Sequence, residues 1–444
     1  MKKITKIKPI IITLAMIFFF SILINTNFNY YQETDYGNLE SINEQKLKTA
    51  ECPYGVEWFL TWGGSASDYG ESIVMDSSDN IYFAGYTASF GSGGDICLVK
   101  YHSPGFQQSN RIWGGSDIDW GKGIAIDSSR NIYITGTTWS YGAGSSDVIL
   151  VKYNSLGNLE WYRTWGGSDW DGGYDLAIDS SGDIYITGNT ASYGAGTRDV
   201  CLIKYNSSGV LQWDRIWGST EVDRSNAIAL DSSENIYIIG ETYGFGAKDS
   251  DMCLLKYNNL GDLEWYRIWG ESGLEYGNTI TIDSLDNIYV AGGYFDIALV
   301  KYDSTGVEQW NRRLSDVDCY GIALDSSENI YLAGIARYGG NHEMYLVKFS
   351  NSGIFEWDLS WGGSDLEECK AIRLDSSDNI YLAGSTWSYG AGMRDLCLVR
   401  FSKDIIAPLI PSEPEIPGYN LFFLLGILSV VATYISKKLK KSKS

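Results

Sequence analysis

The chain has 444 residues with 50 glycines, 14% aromatic residues and a formal charge of -21. Four Lys in the first eight residues and five after Ser436 leave only 25 basic residues against 55 acidic ones elsewhere, a surface that repels phosphate backbones. Nucleic acid is therefore excluded as a partner, and glycine and aromatic usage favours short strands joined by tight turns.

At the N-terminus, Lys2, Lys3, Lys6 and Lys8 precede an apolar run from Ile10 to Ile24. This layout predicts a secretory signal, or an uncleaved signal anchor, over residues 1–30 and a linker over 31–55.

The phrase Asp-Ser-Ser-x-Asn-Ile-Tyr then begins at Asp76, Asp127, Asp231, Asp325 and Asp375, with one-residue variants at Asp179 and Asp283. Seven copies mean seven units. The spacing of 42 to 52 residues suits a four-stranded propeller blade and is too long for one solenoid coil.

One unit shows the pattern. Gly123 to Asp127 is a short apolar strand, Ser128 to Arg130 turn the chain, and Asn131 to Gly136 return it. A glycine-rich loop, Thr138 to Gly144, leads to a third strand at Asp147–Tyr153, and a turn at Gly157 opens the fourth at Leu159–Trp165. Calcium binding at the Asp-Ser-Ser turns is disfavoured, because each supplies too few carboxylates for a hard cation.

The last unit stops after its third strand, whereas Val56–Trp62 is a fourth strand with no preceding three. The expected fold is an all-β, seven-bladed β-propeller of four-stranded antiparallel blades over 56–402, closed by the N-terminal strand completing the last blade. A recurrent pair supports this register. Third strands carry Lys100, Lys152, Lys204, Lys256, Lys301, Lys348 or Arg400, and fourth strands carry Glu57, Gln108, Glu160, Gln212, Glu264, Gln309 or Glu356. Across a hairpin these positions face each other, and closure pairs Glu57 with Arg400.

Cys97, Cys201, Cys253 and Cys397 share a position with Ile149, Ala298 and Tyr345, so they are core residues rather than a disulfide framework. Cys319 and Cys369 are equivalent to each other in neighbouring units, where a bridge between them is conceivable.

The Asp-Ser-Ser-x-Asn-Ile-Tyr-x-x-Gly phrase, the Leu-Val-Lys-Tyr strand and the Gly-x-Leu-x-Trp start of the fourth strand resemble the SBBP family, a beta-propeller repeat of archaeal and bacterial surface proteins. The resemblance covers about Val56 to Ser402. It implies the propeller fold and a surface location, and implies little about activity.

Beyond the repeats, Pro408, Pro411, Pro414 and Pro417 recur every third residue and predict an extended stalk over 403–416. Residues 417–436 are free of charge and long enough for a transmembrane helix, and the Lys-rich 437–444 reads as a basic cytoplasmic tail. This tail, with its Ile-Pro-Gly-Tyr start, looks like an archaeal C-terminal surface-sorting segment. The expected membrane partner is thus the C-terminal helix, with the propeller outside the cell.

Ligands of propellers are sought where the loop between second and third strands meets the loop between blades. Trp139, Tyr141, Trp387 and Tyr389 fall in the first loop set, and Asp117, Asp119, Asp169, Trp170 and Asp171 in the second. Rings beside carboxylates suit an extracellular glycan or protein ligand, although the same rings can equally cover their own loops. The fifth unit passes from Gly293 to Asp296 without this loop, so a notch in the rim is expected there. His102 and His342 stand at unrepeated positions, so no catalytic constellation, metal site or cofactor is expected. The expected function is a cell-surface binding or adhesion module. A structural surface-layer component and a carbohydrate-active enzyme, the latter through pairs such as Asp117 and Asp119, are the alternatives.

Overall fold

The computed structural model describes residues 55–403, apart from 103–104, 247–248, 271–273, 294 and 339–340. The expected signal segment, linker, stalk, membrane span and basic tail lie outside the described residues, as does Cys52. Among the described residues no helix is long and apolar enough to cross a membrane.

Twenty-eight described strands form seven antiparallel sheets of four, so the chain is the seven-bladed propeller expected from its repeats. Blade 1 holds Asp68–Met75, Ile81–Thr87, Asp95–His102 and Phe106–Trp113, and blades 2 to 6 follow in the same order. Blade 7 is Glu367–Leu374, Ile380–Thr386 and Asp395–Phe401, completed by Val56–Trp62. The first strands contact one another in succession around the axis, and the last meets the first. Second strands such as Ile132–Thr138 are buried throughout, because both of their faces stack on neighbouring blades.

Closure occurs where the orphan strand pairs. Phe59 lies opposite Val399 and Leu60 opposite Leu398, and Glu57 forms an ion pair with Arg400. Phe59 is buried against the rings of Trp361 and Tyr389, and Gly70 N–H donates to Ser385 Oγ at 3.1 Å, joining blade 1 to blade 7. The remaining cross-strand pairs also form where the fourth strand offers a carboxylate, as in Lys152–Glu160 at 3.0 Å and Lys256–Glu264 at 3.1 Å.

The repeated phrase serves both its own turn and the next blade. Asp76 Oδ1 accepts from the Ser78 and Asn80 N–H groups, while Oδ2 accepts from Asn80 Nδ2 at 2.8 Å and the Tyr82 hydroxyl at 3.1 Å. Both oxygens are thus engaged by the chain itself. The variable residue of the phrase has positive φ, as at Glu234 (63°) and Asp286 (61°), and its carboxylate reaches the first Ser of the preceding blade. Ser232 Oγ donates to Asp286 at 2.7 Å, Ser326 Oγ to Asp378 at 2.7 Å and Ser376 Oγ to Asp79 at 2.9 Å. This belt is interrupted where Arg130 and Gly182 take the variable position.

The six cysteines among the described residues are buried and free; four of them, Cys97, Cys201, Cys253 and Cys397, fill the slot shared with Ile149, and Cys319 and Cys369 lie on the first strands of blades 6 and 7.

At the opposite rim, blade junctions contain paired carboxylates. Asp95 and Asp119, Asp147 and Asp171, Asp199 and Asp223, and Asp395 and Asp68 are all buried. Each pair closes on a glycine of the Trp-Gly turn. A Cβ at Gly114 would collide with both Asp95 and Asp119, and one at Gly63 with both Asp395 and Asp68. Burial, opposed by the N–H of Gly392 and reinforced by the charge on Asp68, pushes the Asp395 carboxyl up to about 6. One oxygen of Asp395 is buried without a hydrogen-bond partner, as is one of Asp95 and one of Asp199.

Two outcomes follow. Phe59→Ala is expected to lower the unfolding free energy by about 3 to 5 kcal/mol, as measured by denaturant titration, since it empties the closing strand's contact with the core; a loss under about 1 kcal/mol contradicts closure by this strand. The second concerns pH. Because the folded-state value for Asp395 lies above its unfolded one, the native state binds the extra proton, so this site's contribution is present at low pH and lost as pH rises through about 6. Asn mimics the protonated acid, so Asp395→Asn should match the parent near pH 4 and exceed it near pH 8 by about 1 to 3 kcal/mol. A variant less stable than the parent at pH 8 contradicts the shift.

Candidate functional site

The loops after the second strands fold by a shared device. Thr138 Oγ1 accepts from the N–H groups of Ser140 (3.2 Å) and Tyr141 (3.1 Å), and its hydroxyl donates to Asp119. This tucks the Tyr141 ring against Trp113 at 5.2 Å, with its hydroxyl on Gly114 O at 3.1 Å. Tyr389 occupies the same place on Trp361 (5.4 Å), and Phe90, Tyr193 and Phe245 repeat it on Trp62, Trp165 and Trp217. Tyr141 and Tyr389 are therefore plugs between blades.

Asp119 and Asp171 are placed away from the surface. Asp119 Oδ2 accepts from Gly115 N–H and Ser140 Oγ, each at 2.7 Å, and Asp171 Oδ2 accepts from Gly167 N–H and Ser192 Oγ, also at 2.7 Å. Both are buried and clamp the loop. Sequence proximity set them beside Asp117 and Asp169, but the strands begin only at Asp119 and Asp171, so the earlier acid of each pair stays in the loop while the later one enters the sheet. Asp117 and Asp169 are exposed, with their own N–H groups held by Ser140 Oγ (3.1 Å) and Ser192 Oγ (3.0 Å).

Trp139, Trp170 and Trp387 occupy three separate junctions of this rim. Trp139 is exposed, and its N–H is fixed on Ile118 O at 2.9 Å. Trp170 carries the Arg198 guanidinium over its ring at 4.2 Å, and a bridge to Ser146 holds its backbone. Trp387 and Tyr69 enclose Arg394 from two sides at 4.0 and 3.8 Å, and Arg394 also pairs with Glu368. The platforms have a common origin: Arg198 and Arg394 each precede a third strand and bridge to the residue before the next blade's first strand.

Sequence reasoning missed these arginines and the row nearest the axis. The second residue of each first strand differs from blade to blade, with partners on the second strand to match: Tyr69 with Tyr86, Trp120 with Thr137, Arg224 with Glu241 and Glu368 with Ser385. Tyr86 stacks on Trp120 at 4.7 Å, and Arg224 pairs with Glu241 at 2.6 Å. Two residues further along these strands, Lys122 reaches Glu71 at 2.8 Å, beside a 2.8 Å bond from Trp120 Nε1. Burial opposes ionisation of Glu71, yet the ammonium groups of Lys122 and Lys370 and these two bonds outweigh it and hold the carboxyl below its usual range. The signal was available as unequal residues at one repeat position.

In blade 5 the first two strands shorten to Thr279–Ile282 and Ile288–Gly292, and Asp296, whose counterparts are buried, is exposed. Phe295 is exposed beside it, with its N–H on Asp318 Oδ1 at 2.8 Å and the Arg337 guanidinium 4.9 Å from its ring. His102 sits at the other end of the propeller, with Nδ1 2.6 Å from Asn80 Oδ1, and His342 is half-buried in the strand Asn341–Phe349. Among the described residues no three His, Cys, Asp or Glu side chains are grouped to hold a metal.

Residues 111–142 match the model of the SBBP beta-propeller repeat. The chain is 21% identical over 311 residues to an uncharacterised WD repeat-containing protein of Acanthamoeba polyphaga mimivirus, covering 60% of this chain and 20% of that one. It is 30% identical over 112 residues to the regulatory protein FlaEY of Caulobacter vibrioides, covering 22% of this chain and 12% of the relative. The matched stretches therefore span a fifth or less of these relatives. Among solved structures, a protein of unknown function from Dyadobacter fermentans is 8% identical with a TM-score of 0.49, over 77% of this chain and 97% of that one. The C-terminal WD40 domain of Sif2 is 8% identical with a TM-score of 0.45, over 75% and 81%. The seven four-stranded sheets make this chain a seven-bladed β-propeller by fold, within which residues 111–142 are similar to the SBBP repeat.

Proposed function

We propose that the chain is a binding module of the cell surface, held to a membrane by its C-terminal span, which recognises a protein partner through the rim that carries Trp139, Trp170 and Trp387. The observation that supports this most is the pairing of rings with arginines on backbone-bridged positions, Trp170 with Arg198 and Trp387 with Arg394. Trp, Tyr and Arg are the residues that dominate binding energy at protein interfaces, and rigid placement lowers the entropy lost on association. The rim also carries charges of both signs, exposed Asp117 and Asp169 beside half-buried Arg198, which suits a polypeptide bearing both. The surface location rests on the apolar and Lys-rich termini and on the resemblance to surface-protein repeats.

A test uses beads bearing the chain and envelope preparations from its source cells. Trp139→Ala, Trp170→Ala, Arg198→Ala and Trp387→Ala combined should abolish adhesion while the circular dichroism spectrum stays that of the parent, since rim truncations of about 2 kcal/mol at each hot spot multiply. Prior protease treatment of the envelope should abolish adhesion too. Loss after glycosidase but not protease treatment assigns the rim to a glycan, and retained adhesion by the folded quadruple variant removes the rim from the function.

A further inference from the structure

The outer edge of the propeller follows a strict rule with one exception. Fourth strands present a Trp opposite the third-strand cation: Trp161 faces Lys152, Trp213 faces Lys204, Trp265 faces Lys256, Trp310 faces Lys301 and Trp357 faces Lys348. Each indole meets the edge of the second-strand Tyr at about 6 Å, as in Tyr133–Trp161 (6.1 Å) and Tyr237–Trp265 (6.0 Å). Its far edge rests on the hairpin glycine of the next blade. A Cβ at Gly209 would stand 3.0 Å from Trp161, and one at Gly261 3.0 Å from Trp213. The following Arg covers the other face of the ring, with Arg163 at 4.9 Å from Trp161 and Arg267 at 4.5 Å from Trp265.

In blade 1 the residue opposite Lys100 is Ser109. Everything that would hold the indole is present. Tyr82 stands at the back, Arg111 donates from Nε to Gly157 O at 2.7 Å as Arg163 does to Gly209 O, and Gly157 keeps its positive φ of 77°. The vacated space is a pocket of about 230 Å³ lined by Tyr82, Leu98, Lys100, Ser109, Arg111 and Leu156. A cavity of about 150 Å³ with apolar walls already accepts a benzene ring.

The same blade also lacks the carboxylate that neutralises the third-strand cation. Gln108 stands where Glu160, Glu264, Glu356 and Glu57 pair with their cations, and among the described residues no carboxylate lies within 4 Å of the Lys100 ammonium. Its ammonium lies 4.9 Å from the Tyr82 ring. Burial lowers the Lys100 pKa, Asp76 raises it and Arg130 lowers it further, leaving it below its usual value. The Asp76 carboxylate is itself engaged, by the Ser78 and Asn80 N–H groups, the Asn80 amide and the Tyr82 hydroxyl. In a chain of charge -21, a ring-sized cavity beside two cations without carboxylate partners selects a negatively charged guest.

We infer that the outer pocket of blade 1, between Tyr82, Lys100, Arg111 and Leu156, is a binding site for a planar aromatic ring carrying an adjacent carboxylate. The ring fills the space of the missing indole, and the carboxylate meets Lys100 where other blades supply their own Glu. A free aromatic acid and an aromatic side chain next to an acidic one on a polypeptide offer the same chemistry.

The test is calorimetric titration of the purified full-length chain, in one detergent throughout, with indole-3-acetate, uncharged 3-methylindole and an acetylated Trp-Glu dipeptide amide. Indole-3-acetate should bind with a dissociation constant below about 1 mM, and Ser109→Trp should weaken it at least about tenfold while melting no lower than the parent, because it restores the ring that neighbouring blades carry. Gln108→Glu gives Lys100 a partner and should weaken indole-3-acetate about tenfold while changing 3-methylindole less than about twofold. The dipeptide binding more tightly than indole-3-acetate identifies a polypeptide as the source of the guest, and weaker binding identifies a free acid. Absence of binding at about 10 mM, equal affinity in a folded Ser109→Trp chain, or equal affinity for acid and 3-methylindole in the parent overturns the assignment.

Discussion

Each blade has two apolar faces and cannot bury either one alone, so the molecule depends on the ring being closed. Val56–Trp62 closes it by joining a sheet whose other three strands come from the far end of the repeats. With Trp62 against Phe90, Gly70 bonded to Ser385 and Ser376 bonded to Asp79, the first and last blades interlock as the others do. Most of the repeated residues serve this stacking. The Asp of the phrase holds its turn, the variable residue reaches the preceding blade, and the fourth-strand Trp sits on the next hairpin's glycine.

Residues that obey the repeat are therefore explained by folding, and those that break it at one position are where recognition is to be found. At the rim, Tyr141 and Tyr389 obey it and are interior plugs, while Trp139, Trp170 with Arg198, and Trp387 with Arg394 differ from blade to blade. At the outer edge, Ser109 breaks it in blade 1 alone, and there Gln108 in place of a Glu leaves the ring and the neighbouring charge missing from the same spot. A single loss of a Trp leaves a cavity. A paired loss leaves a cavity with an unanswered cation.

The fold was legible because the seven-residue phrase and the orphan strand are local patterns that count and phase the blades. The cross-strand ion pair between Glu57 and Arg400 was legible for the same reason. The rim was only partly so. Asp117 and Asp119 are two residues apart, and which of them faces solvent depends on where a strand begins, so Asp119 looked like a surface acid and is buried. Arg198 and Arg394 went unnoticed because their neighbours across the loop, Trp170 and Trp387, become adjacent only when blades pack. The gap at Ser109 was visible in principle, since Gly-Phe-Gln-Gln-Ser departs from Gly-Asn-Leu-Glu-Trp, but its meaning needed the register that sets Ser109 opposite Lys100.

Ring closure as the source of the propeller's cooperativity is tested most directly by native-state amide hydrogen exchange of Val56–Trp62 against the central strands, such as Ile132–Thr138. If the closing strand locks seven blades into one unit, its paired amides exchange with the same free energy as those of Ile132–Thr138, through opening of the whole ring. Exchange from Val56–Trp62 that is faster by several orders of magnitude, with the central strands still protected, would contradict closure as the constraint on which the rest of the fold depends.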